Sequence, residues 1–189
     1  PTAGTPQAST AKAELDETDG LDSDVTIAGA GYFTGTPDYG EDGAGKVEYT
    51  LNATGGTTTN LYLTGDATDP IILVSTATGY EGRTTTGNVL AFTVNIDSTS
   101  GEIKVTQNAT LDHPVSGSTP ADHNDAVDLA GLISVVQTVT DGDLDTAEAT
   151  SGSTLAITFL DDGPTAAAST GNTASTTLDE TGGLDSVTI

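Results

Sequence analysis

The run Leu90-Ala91-Phe92-Thr93-Val94-Asn95-Ile96 puts an apolar side chain at every second position. That is the period of an extended strand with one buried face, and a helix cannot present it. Asp97 to Gly101 supplies a turn, and Ile103 and Val105 resume the alternation, so the stretch reads as a hairpin. The same alternation recurs as Val47, Tyr49 and Leu51, as Ile133, Val135 and Val139, and as Leu155, Ile157 and Phe159. Leu61 and Leu63 are expected on one face of a further strand. Ile71 to Val74 forms a continuous apolar strand, Val25 to Ile27 a short first strand, and Thr146 to Thr150 another. Residues 28–45, rich in Gly, and residues 108–128, rich in Asp, read as loops. No stretch shows sustained helical periodicity with caps. The expected fold is all-β, an antiparallel β-sandwich.

The chain also repeats itself. Leu15-Asp16-Glu17-Thr18-Asp19-Gly20-Leu21-Asp22 returns 163 residues later as Leu178-Asp179-Glu180-Thr181-Gly182-Gly183-Leu184-Asp185. Pro1-Thr2-Ala3 returns as Pro164-Thr165-Ala166 at the same offset, and Val25-Thr26-Ile27 as Val187-Thr188-Ile189 one residue out of step. Three blocks in the same order imply one full period and the start of the next, hence a tandem array. No shorter repeat divides the period, which disfavours a propeller or solenoid. The expected organisation is a linker over 1–14, a sandwich module over 15–163, a second linker over 164–177, and the first strand region of the next repeat over 178–189.

Charge narrows the partners. Four basic residues face 28 acids, for a net charge of −24. Nucleic acid and anionic membrane surfaces both need basic patches, so neither is expected. No apolar run approaches the ~18–20 residues that cross a bilayer as a helix, so membrane insertion is not expected either. Cysteine is absent, which excludes disulfides and thiolate metal sites. With 34% apolar residues the strands are marginal without help. Two explanations of the acids remain: a solvated surface, or a surface neutralised by metal.

The acids cluster at particular points. Asp141-Gly142-Asp143-Leu144-Asp145 alternates three carboxylates along one turn, and Asp161-Asp162-Gly163-Pro164 closes the last strand. Hard divalent cations take six to eight oxygen ligands, so these loops suit calcium. The turn is not an EF-hand: the sixth position is Thr146 rather than Gly, and the twelfth is Gly152 rather than Glu. Asp162 precedes Asp179 and Glu180 of the next repeat, whose equivalents in the first are Asp16 and Glu17. Acids on both sides of a linker are what an inter-module calcium clamp requires. Asp38, Glu41 and Asp42 form a third acidic loop, which either holds an ion or lies exposed.

Enzymatic chemistry finds little support. His113 and His123 share a loop with Asp112, Asp122 and Asp125, and a zinc site can be drawn there, but nothing fixes its spacing. Polar loop histidines are the preferred reading. Ser116 and Ser118 lie nearby, yet a triad cannot be argued from sequence neighbours, and no Gly-x-Ser-x-Gly elbow exists. Aromatic residues to stack a sugar are scarce. The chain is read as a non-enzyme.

The Asp141-Gly142-Asp143-Leu144-Asp145 turn, the Asp161-Asp162-Gly163-Pro164 exit and Leu178-Asp179-Glu180-Thr181, with Asp38-Tyr39-Gly40 and His113-Pro114, resemble the tandem repeats of giant type I-secreted RTX adhesins of Gram-negative bacteria. The resemblance covers nearly the whole period. It implies an immunoglobulin-like or cadherin-like sandwich, rigidified by calcium and stacked end to end, secreted to the bacterial cell surface. Such arrays project binding domains for attachment and biofilm formation. The module's partners are then neighbouring repeats of its own chain, and any glycan or peptide ligand is held elsewhere in the protein. Family calcium positions carry over onto Asp141, Asp143, Asp145, Asp161, Asp162, Asp16 and Glu17. The family turn usually has a second Gly where Leu144 stands here. The alternative expectation is a ligand-binding adhesion module of the same adhesin, with a pocket built from loops 28–45 and 108–128.

Overall fold

The computed structural model describes residues 1–163 except 22, 23, 116–118, 120, 121 and 123, and of Asp19 the backbone alone. Thirteen strands fill these residues: β1 (Thr5–Pro6), β2 (Lys12–Asp16), β3 (Asp24–Ala28), β4 (Phe33–Thr34), β5 (Ala44–Asn52), β6 (Ile71–Ser75), β7 (Gly79–Thr84), β8 (Leu90–Ile96), β9 (Glu102–Gln107), β10 (Ala126–Asp128), β11 (Ser134–Asp141), β12 (Thr146–Thr150) and β13 (Ala156–Leu160). Two 3-10 turns, Glu17–Asp19 and Gly29–Tyr32, are the only helical segments among the described residues. None is long and apolar enough to cross a membrane.

The fold is an all-β sandwich. One sheet has five strands in the order β3-β9-β8-β7-β6. Two three-stranded sheets, β12-β11-β5 and β10-β13-β2, and the small β1-β4 pair complete it. Alternate residues of each strand face inward, as a period of two requires. Phe92 of β8 meets Phe159 of β13 with ring centroids 5.3 Å apart and planes tilted by 39°. Around that contact Leu15, Ile27, Ile71, Val94, Ile103, Val105, Val135 and Ile157 close a single buried cluster.

Two regions differ from the sequence reading. Residues 1–14, read as a linker, are paired: β1 joins β4, and β2 lies beside β13. The reason is burial, since Ala13 and Leu15 are wholly inaccessible and stand in register with Ile157 and Phe159. That β2–β13 pairing is parallel, whereas every other pairing between described strands is antiparallel. Parallel neighbours need a long connection, and here nearly the whole module lies between them. Leu61 and Leu63 do not form a strand. Asn60 at φ 61° and Gly65 at φ 79° take left-handed backbone, and only isolated bridges such as Leu63 to Leu111 remain.

Candidate metal centre

The expected acidic turn forms at the end of β11. The backbone N–H of Asp145 donates to Asp141 Oδ1 at 2.9 Å, and the N–H of Asp141 donates to the carbonyl of Asp145 at 3.1 Å. These bonds close the turn on itself and fix Asp141, which is buried while Asp143 and Asp145 stay in solvent. Leu144 occupies the tip with φ 78° and 78% exposure. This is left-handed backbone, which favours Gly over a branched side chain.

A second segment completes the group. The β5–β11 register shifts by one residue between Thr140 and Asp141, so that Asp141 pairs with Ala44 and Gly45 is the unpaired residue of a bulge. The bulge brings the loop before β5 against the turn. The N–H of Gly142 donates to the carbonyl of Gly43 at 3.0 Å. A Cβ at position 142 would stand 2.2 Å from the Asp42 carbonyl oxygen, so the approach requires Gly. Carboxylate oxygens of Asp42, Asp141 and Asp143 then lie within 4.8 Å of one another.

Electrostatics follow from that crowding. Burial pushes the Asp141 carboxyl up, but the hydrogen bond from Asp143, the Asp145 N–H and the nearby Pro1 amino group hold it below the ordinary aspartate value. Asp143 is raised, first by that same hydrogen bond to Asp141 and then by the charges of Asp141 and Asp145. Once one of the pair is ionised, the second gives up its proton less readily. The donors are hard oxygens throughout, which fits calcium.

The other expected ligands divide. Asp16 caps the Glu17–Asp19 turn, its Oδ1 accepting from the Thr18 N–H at 2.8 Å. Asp145 and Asp162 join neither of the acidic groups found among the described residues. Asp179 and Glu180, and with them the inter-module clamp, lie outside the described residues.

Glu17 and Asp161 do come together, because Leu160 pairs with Asp16 at the end of the parallel ladder. They meet at His113, and ligand atoms of the three lie within 4.8 Å. Glu17 Oε1 accepts from Gln107 Nε2 at 2.7 Å and from the Leu111 N–H at 2.9 Å. Burial raises the Glu17 carboxyl above its ordinary value. The Leu111 and Gln107 hydrogen bonds and His113 offset part of this, and the Asp161 charge adds to it. The His113 side chain is 2% exposed. That corrects the reading of His113 as a polar loop residue: Leu111 is buried and draws the segment inward. The polar company of His113 in sequence concealed this. His123 lies outside the described residues.

A groove of about 390 Å³ runs beside Tyr49, Leu51, Ala77, Ile96 and Ser98. No described residue of 28–45 or 108–128, the loops expected to build a ligand pocket, lines it.

No curated protein and no solved structure matches the chain. Residues 12–152 match the family described as "Domain of unknown function (DUF5801)", and over that span, most of its length, the chain belongs to this family.

Proposed function

We propose that this chain is a calcium-stabilised structural extender repeat of a large bacterial surface adhesin, secreted and arrayed in tandem to hold binding domains away from the cell. The observation that carries the reading is the Asp42, Asp141 and Asp143 group, three carboxylates held together by a bulge and a turn. Without a cation these charges repel. With calcium the loop before β5 and the turn after β11 become one unit. The recurrence of Leu15 to Asp22 at 178–185 supports the array. The neighbours of the module are then further copies of itself, and adhesion for attachment and biofilm formation falls to other domains.

Thermal unfolding tests the calcium step. The chain is stripped with chelator and then titrated with calcium, with magnesium as control. Calcium at about 100 times its dissociation constant stabilises by roughly 2.7 kcal/mol, which for a chain of this size raises Tm by about 5–10 °C. Asp143→Asn abolishes most of that rise. An equal rise with magnesium, or a full rise in the variant, overturns the calcium assignment. Small-angle scattering of a two-repeat chain tests the extender step: calcium should lengthen it and chelation should let it bend.

A further inference from the structure

His113 lacks the partners a buried imidazole ordinarily has. Both ring nitrogens are inaccessible and neither makes a hydrogen bond. Nε2 stands 3.7 Å from Glu17 Oε1, and Nδ1 stands 3.9 Å from Asp125 Oδ1, which is itself buried and unpartnered. Those separations are too long for hydrogen bonds. Leaving three polar atoms unsatisfied in a folded interior is costly.

The separations suit an intervening ion. Two ligands each about 2.1 Å from one metal stand ~3.0–3.7 Å apart for ordinary coordination angles. Glu17 Oε1, the oxygen 3.7 Å from the imidazole, is held in place by two hydrogen bonds. Asp161, at the end of β13, is partly exposed and gives the site an edge on solvent. Asp125 sits behind the ring, in the place of a carboxylate that fixes the tautomer of a metal-bound histidine. It is anchored there, since its Oδ2 accepts from the Val115 N–H at 3.1 Å and its carbonyl from the Asp161 N–H at 3.0 Å.

We propose that Glu17, His113 and Asp161 bind a first-row transition-metal dication of the zinc class, with Asp125 orienting the His113 imidazole from behind. Imidazole nitrogen is a ligand that zinc, cobalt and nickel favour and calcium does not. The site is therefore separate from the oxygen-only group around Asp141, and it stands whether or not that group takes calcium. The ion would tie the end of β13 to the turn after β2 and to the segment after β9.

The test uses the whole chain, stripped of metal and held in excess calcium, titrated with zinc and separately with cobalt. One equivalent should bind and raise Tm, and cobalt should show ligand-field absorption. Nitrogen NMR of the imidazoles, in a chain with only two histidines, should show His113 Nε2 shifting on zinc addition while Nδ1 keeps its proton. His113→Gln and Asp161→Asn should each weaken zinc by more than about tenfold, and Asp125→Asn by about tenfold. His123→Gln and Asp143→Asn should leave zinc binding unchanged. The proposal is overturned if zinc does not bind, if saturating calcium displaces it, if His123→Gln removes it, or if the His113 resonances do not move. The wild-type NMR result decides the matter even where His113→Gln fails to fold.

Discussion

Two acidic groups in this sandwich contain the same kinds of carboxylate and answer to different physics. Asp141 and Asp143 sit on a turn whose own backbone satisfies it, Asp42 reaches them from the loop before β5, and two of the three face solvent. Water screens their repulsion, so the turn tolerates its charges without a cation, and a cation adds stability only by the free energy of its binding. Glu17, His113 and Asp161 meet where three parts of the chain converge, and the bonds that hold Glu17 come from residues 90 and 94 positions away. In a dry site each unmatched polar group is expensive. The first group joins one exposed turn to the loop before β5 through the register of a single strand pair. The second exists only once the module has folded.

The contrast is broken most directly by removing one acid from each group. Glu17→Ala strands the Leu111 N–H and leaves Gln107 Nε2 only its bond to the Ala109 carbonyl, and this should cost about 2–4 kcal/mol, on the order of ten degrees in Tm. Asp143→Asn removes a repelling charge from an exposed turn and should leave the cation-free Tm level or slightly higher. Differential scanning calorimetry of both variants in chelator decides the point. Equal losses would mean that the turn is as structural as the pocket.

Acid titration separates the two groups from the remaining aspartates. Glu17 and Asp143 have raised values, so the folded state holds their protons more tightly than the unfolded chain. Their favourable contribution is complete below the ordinary values of 4.5 and 3.8 and is lost as pH rises through the folded values. Asp69 is lowered by the N–H groups of Gly87 and Thr86, and Asp97 by Ser100 and Thr99, so their contribution is present above 3.8 and is lost on further acidification. Without divalent cations, Tm should therefore fall from mild acid towards about pH 7 through Glu17, while the lowered Asp141 opposes the share of its neighbour Asp143. Calcium should remove the part of that fall due to Asp143, and zinc the part due to Glu17. A cation-free Tm that climbs steadily to neutrality would refute the crowding in both groups.

What the sequence discloses follows the same division. Strands β8, β9, β11 and β13 are legible because their apolar residues alternate without interruption. Strand β7 is not, because Gly79 and Gly82 read as breakers. Position 82 is Gly for another reason: a Cβ there would stand 2.3 Å from the Phe92 ring, so the missing side chain makes room for the core. In the acidic turn, Asp141 and Asp143 are neighbours in sequence and can be read directly. Asp42 joins them only through the register of β5 on β11 and its bulge, which no local pattern encodes. The burial of Glu17 left a usable trace, since Ala13, Leu15 and Glu17 continue one alternating face. His113 left only Leu111, a lone apolar residue in a polar stretch, as a sign that the segment turns inward.

The smallest expected effect also tests how the turn is built. Leu144 holds φ 78° with its side chain in water, so it gains no burial in exchange for a left-handed backbone. That conformation costs an L-residue roughly 1–2 kcal/mol, while Gly forfeits roughly 0.5–1 kcal/mol of unfolded-state freedom. Leu144→Gly should therefore gain at most about 1.5 kcal/mol, or about 3–6 °C in Tm, with or without cations. Its effect on calcium is the sharper reading. The hydrogen bonds between Asp141 and Asp145 already close the turn and fix the Asp141 carboxylate. Calcium affinity should then be unchanged and zinc binding untouched. A marked tightening of calcium by the Gly variant would show that Leu144 holds the loop away from its metal-bound shape, and the Asp42, Asp141 and Asp143 group would then be formed by the ion rather than ready for it.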